Sequence, residues 1–227
     1  MLEKILVKSE ENKTADQISE VEGRARVLVD WQLKLAAFIA FLWSIFQMWY
    51  ASPLPFLFKT GVFIDVPARG IHLCFALLLS FILFPLLKSR RHRPVHFTDV
   101  ILALGGGYCA LYLYLEYVAL VDRNGVLLEI PFSFHSFNFS FPFELLLGAF
   151  GIVVLLEATR RAIGLPLVIV AVVLLLYSFF GQSMPDVIAH QGLSFSRLIG
   201  YQWLGGEAIF GIPISVSASF VFLFVLF

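Results

Sequence analysis

Twelve positions of this sequence hold side chains or backbone features that an apolar chain does not carry without a reason: Glu116, Glu144, Glu157, Arg160, Arg161, Gly205, Glu207, Gly211, Pro213, Ser215, Ser217 and Ser219. Glu116 is the only charge in the run 100–121. A carboxylate in hydrocarbon costs several kcal/mol, which makes it a functional candidate. Its neighbours Tyr112, Tyr114 and Tyr117 read as an interfacial aromatic belt, which sets the same carboxylate beside water as an interface or bundle hydrogen bond. Glu144 and Glu157 bracket the run 143–162. At thirteen residues apart they are turned by about 220° round a helix, so they make no paired acid/base site by themselves. Glu157 stands i,i+3 from Arg160 and i,i+4 from Arg161, the spacing of ion pairs that anchor a helix end, with a subunit contact as the alternative.

The stretch from Gly205 to Ser219 mixes glycine, proline and hydroxyl residues into an apolar run. Serines hydrogen-bond across helices, and Gly/Pro interruptions occur where transporters break their helices; a packed helix with a small-residue interface explains the same pattern. Gly105, Gly106 and Gly107 sit mid-run, where small residues let helices approach closely, with a hinge as the sharper reading. His72, His92, His96, His135 and His190 lack zinc-ligand spacing. Cys74 and Cys109, each inside an apolar run, read as small packing residues. No nucleophile elbow, phosphate loop or dinucleotide fingerprint occurs, so the sequence gives no reason to expect an enzyme, a metal or a cofactor.

Fifty-nine per cent of the chain is hydrophobic and fourteen per cent charged, with a mean hydropathy of +0.88. Soluble domains carry about 25% charged residues, so an integral membrane protein is expected. The zero net charge offers no basic face for nucleic acid. A spanning helix needs about 20 mainly apolar residues. Runs near 33–51, 71–87, 100–121, 143–162 and 165–180 qualify, and a sixth begins near Ala208 and is cut off at Phe227. The expected fold class is therefore an all-α, polytopic membrane bundle of about six helices with the last truncated. If the N-terminus is cytoplasmic, twelve Lys and Arg fall inside and four outside; short loops alone give six against four. The positive-inside rule then favours N-in.

Residues 1–32 read as a charged cytoplasmic segment, 33–180 as about five membrane helices, and 181–227 as the start of a further component. Residues 52–70 read as a short interfacial turn, and Trp203 and Tyr201 as interfacial aromatics. The alternating phenylalanines of 132–143 predict an extended strand. A lone strand in lipid leaves its backbone unpaired, so this one is expected at headgroup level or against protein.

WYASPLPF (49–56), RGIHLCFALLLSFILFP (69–85), LLEATRRAIGLPL (155–167) and the run 201–227 together resemble the opening of fused TRAP-transporter permeases of the TAXI type. The resemblance covers most of 33–227 in consistent order; the Phe/Ser-rich stretch 132–143 departs from it, a shorter connection being expected there. It implies a permease component of the bacterial inner membrane, fed by a periplasmic solute-binding protein and driven by a cation gradient, usually Na+. In that family a small four-helix component precedes a large twelve-helix one, and the ion and substrate hairpins lie further downstream. No binding residue is carried over, and a chain of this extent is expected not to transport alone. The alternative is a self-contained structural subunit that scaffolds a separately encoded transport partner.

Overall fold

The computed structural model describes residues 25–87, 92–123, 126–134, 137–185 and 187–226. Residues 1–24 of the expected charged cap and 88–91 of the basic loop lie outside them. The chain is mostly helical. It opens with helix α1 (Asp30–Ala51), a short helix α2 (Leu54–Phe58) and helix α3 (Asp65–Leu83). Helix α4 (Phe97–Leu115) runs directly into α5 (Tyr117–Asp122), with Glu116 at the joint. Helices α1, α3 and α4 are long and apolar enough to cross a membrane.

The three other expected crossings are less regular. Helix α6 (Phe143–Ala162) has the length, but it carries Glu144 in its first turn and Arg160 and Arg161 in its last, as the helix dipole favours, with Glu157 one turn further in beside the two arginines. Helix α7 (Leu165–Phe179) has 15 residues, about 22 Å at 1.5 Å per residue. It follows α6 after two residues, and Gly164 at φ 123° supplies the turn, a conformation that a side chain resists. The sixth run is broken. Helix α8 (Phe195–Ile199) passes into a π turn at Gly200–Leu204. After the bend at 205–211 come α9 (Ile212–Val216), a second π turn (Ser217–Val221) and α10 (Phe222–Leu226).

The expected lone strand is instead a hairpin. Strands β1 (Ile130–Phe134) and β2 (Phe137–Phe141) pair antiparallel with Phe132 opposite Phe139. The ladder satisfies backbone groups that a single strand would leave open, and it is the one departure from the all-α expectation among the described residues. The interfacial turn at 52–70 is also shorter than read, because α3 starts at Asp65: the Asp65–Arg69 pair (3.6 Å, i,i+4) lets its polar first turns join the helix.

The core lies where α3, α4, α6 and the 199–210 segment meet, with Leu77, Phe81, Ala110, Leu113, Val154, Trp203 and Phe210 buried together. Glycines set the spacing. A Cβ on Gly106 would lie 2.5 Å from Val154 Cγ1, and one on Gly70 2.8 Å from the Ala110 carbonyl. The close-packing reading of Gly105–Gly107 therefore describes the interface, as small residues allow between membrane helices. Gly106→Val is expected to lower stability by about 1–3 kcal/mol through overpacking, read from unfolding in detergent, and a neutral result contradicts the packing.

Candidate functional site: a polar stripe against a broken helix

Helices α1 and α3 run antiparallel and each turns an i, i+4, i+7 polar stripe to the other. On α1 the stripe is Trp43, Gln47 and Tyr50; on α3 it is Asp65, Arg69 and His72. That spacing puts each trio on one helix face. Tyr50 donates its hydroxyl to Asp65 (3.0 Å), and Trp43 Nε1 donates to His72 Nδ1 (3.2 Å). His72 thus accepts at Nδ1 and carries its proton on Nε2, which faces the Ser217 hydroxyl at 3.4 Å.

The third wall is the broken segment. A continuous helix would satisfy the Phe210 carbonyl from the Ile214 N–H, but the chain bends at Gly211 and the next helix begins only at Ile212. Arg69 NH1 donates to the Phe210 carbonyl instead (3.0 Å). In the π turn, Gln47 Nε2 donates to the Ala218 carbonyl. Phe222 closes the site, its ring 4.7 Å from Trp43 and 5.8 Å from His72. Irregular backbone at membrane depth survives only where protein groups satisfy it, and here two facing helices supply them. His72 stands seven residues into α3, about 10 Å along its axis.

One acceptor in the stripe is open. Gln47 is fully buried and its Oε1 has no partner among the described residues. Leaving such a group unmet costs about 1–3 kcal/mol. The open lone pair is that of a neutral amide oxygen, which suits a hydrogen-bond donor or a hard cation. Among the described residues no three His, Cys, Asp or Glu cluster in a metal-binding arrangement.

Two ionic clusters hold the ends of the bundle. At one end Glu144, fully buried, accepts from Tyr112 Oη (2.8 Å), Arg123 NH2 (2.6 Å) and the Leu128 backbone (2.6 Å). Those hydrogen bonds push the Arg123 guanidinium above its ordinary range. At the other end Arg160 and Arg161 each bind Glu157 at 2.7 Å, and Arg161 NH1 reaches Asp99 Oδ1 at 2.7 Å. Arg26 NH2 takes the other oxygen of Asp99 at 2.6 Å, while its Nε and NH1 stay buried without a partner.

Of the residues singled out in the sequence, the structure brings only Ser217 into the stripe. Glu144 and Glu157 stand at opposite ends with separate arginine partners, and the Glu157–Arg160–Arg161 anchor forms as spaced. Glu116 is exposed between α4 and α5. Glu207 is exposed in the bend that Gly205 opens and Gly211 closes, where a side chain on Gly211 would strike the Glu207 carbonyl. Ser219 donates back to the Ser215 carbonyl (2.7 Å), a bond within its own helix. Trp203 corrects the interfacial reading: it is fully buried over Gly148 and Gly151, with Nε1 bonded to the Cys109 carbonyl (3.1 Å). Trp43, Gln47 and Arg69 are not among the residues singled out in the sequence, and His72 is read there only as lacking zinc-ligand spacing; the i, i+4, i+7 period is present on α1, whereas Asp65 and Arg69 fall in the stretch read as an interfacial turn.

No protein-family model, curated protein or solved structure matches this chain.

Proposed function

We propose that the chain is a membrane permease component of a binding-protein-dependent, cation-driven secondary transporter of the TRAP type and TAXI class. The observation that carries this reading is the broken segment 205–226, whose Phe210 and Ala218 carbonyls are held by Arg69 and Gln47 from two other helices. Discontinuous helices with exposed carbonyls at the bilayer interior are how secondary transporters build ion and substrate sites. In this reading α6, α7 and the 212–226 segment complete six crossings, because the charges of α6 lie in its end turns and its centre is apolar. The Lys/Arg bias supports a cytoplasmic N-terminus, with Arg26, Asp99 and Arg161 at the inner face of a bacterial inner membrane. The solute-binding protein then docks at the Glu144 end, and the coupling ion is Na+.

A second reading, a structural subunit beside a separate permease, is favoured by α7, whose fifteen largely apolar residues include none that is buried. Proteoliposomes containing the protein from its full reading frame, a TAXI-type binding protein and a Na+ gradient distinguish the two. Gradient-dependent uptake is expected, falling about tenfold or more in Arg69→Ala and recovering in part in Arg69→Lys, at unchanged assembly; tenfold corresponds to one charged hydrogen bond. Uptake that ignores the gradient or the binding protein contradicts the proposal, and uptake that needs a separately encoded permease supports the second reading.

A further inference from the structure

At the Glu144 end a cavity of about 660 Å³ opens between α5, the residues leading into β1, the start of α6 and the α8–π segment. Its walls are apolar, with Leu120, Leu127, Leu145 and Leu204 among them, and its polar groups include Ser196 and Tyr201. Glu129 and Arg197 are its two charged residues. Both are exposed, and they form no ion pair with each other or with any other described residue. Opposite charges placed on one cavity without neutralising each other match a ligand that carries both signs, and a wall of leucines matches an apolar body. The volume falls in the range of small-ligand sites.

We propose that this cavity binds a membrane phospholipid with a zwitterionic, phosphoethanolamine-type headgroup. Arg197, with Ser196 beside it, takes the phosphate, since a guanidinium fork matches phosphate oxygens. Glu129 takes the primary ammonium, and the acyl chains run along the leucine wall toward the bilayer. Tyr201 sits where an interfacial aromatic meets headgroups. The site rests on the membrane placement of the bundle and is independent of transport, so failed uptake leaves it standing.

Native mass spectrometry of the delipidated full chain, titrated with phosphatidylethanolamine, phosphatidylcholine and phosphatidylglycerol, tests this. Phosphatidylethanolamine is expected to be retained about tenfold better than either of the others, because a quaternary ammonium cannot donate to Glu129 and a glycerol head carries no cation. Arg197→Ala is expected to weaken retention of phosphatidylethanolamine and phosphatidylglycerol, Arg197→Lys to restore part of it, and Glu129→Gln to erase the preference for phosphatidylethanolamine. Leu145→Trp, which fills the cavity and spares both charges, is expected to reduce retention, with elution volume confirming the fold. Equal retention of the three lipids, variants that behave like the parent, or displacement by water-soluble glycerophosphoethanolamine as effectively as by the intact lipid each overturn the proposal.

Discussion

Asp99→Ala is expected to destabilise the protein by about 3–5 kcal/mol, the cost of breaking a buried ion pair from one side. Asp99 is the joint of the ionic cluster: one oxygen holds Arg26 at 2.6 Å, the other Arg161 at 2.7 Å, and all three side chains are at most 3% exposed. Without the carboxylate two guanidinium groups share a nearly dry site. Arg161 keeps Glu157 (2.7 Å) and the face of the Phe81 ring (4.8 Å). Among the described residues Arg26 keeps its backbone bond to the Leu83 carbonyl (2.7 Å). The chain ahead of α1, the start of α4 and the end of α6 are tied through this one carboxylate. Equilibrium unfolding in detergent measures the effect, and a loss below about 0.5 kcal/mol, typical of a surface site, contradicts it. Asp99→Asn keeps the shape without the charge and is expected to fall between the two.

Trp203→Ala is the second large effect, also about 3–5 kcal/mol, as for truncation of a fully buried aromatic. The indole fills the space left by Gly148 and Gly151, meets Phe210 edge-on at 5.5 Å between centroids, and donates to the Cys109 carbonyl. Truncation opens a cavity and leaves that carbonyl with one bond fewer. It also loosens the peg that fixes the 195–211 segment to α4 and α6, so proteolysis near 187–194 is expected to accelerate. Gly151→Leu approaches the same contact from the other side and is expected to expel the indole. Wild-type stability and cleavage in both variants contradict the account.

The legible parts of this fold were local. The three long apolar helices, the Glu157–Arg160–Arg161 anchor and the close approach at Gly105–Gly107 follow from spacing within one element. Contacts between distant elements left no such mark. Arg26 and Asp99 are 73 residues apart, and nothing in either neighbourhood names the other. Trp203 suits an interface as well as a core; its burial depends on two glycines some fifty residues earlier in the chain. The alternating phenylalanines indicate extended backbone, but alternation alone does not say which strand that stretch pairs with, and here it pairs with itself. The polar stripe lies between these cases: the α1 trio falls within one apolar run, whereas Asp65 and Arg69 read as part of a turn until the structure joins them to α3, and the juxtaposition of the two trios is not written in either. Of the six expected crossings three form long apolar helices; for the others, apolar composition does not reveal the end-turn charges of α6, the short α7 or the Gly/Pro break ahead of α9.

Helices α1 and α3 hold the broken 205–226 segment inside the bundle. Single cysteines at His92, Ser194 and Ser217, in a chain with Cys74 and Cys109 replaced by serine, test it with an impermeant maleimide applied to intact cells. Labelling is expected at position 194 from outside, at 92 only after permeabilisation, and at 217 in neither condition. Labelling of 217 as readily as 194, or of 92 from outside, contradicts it.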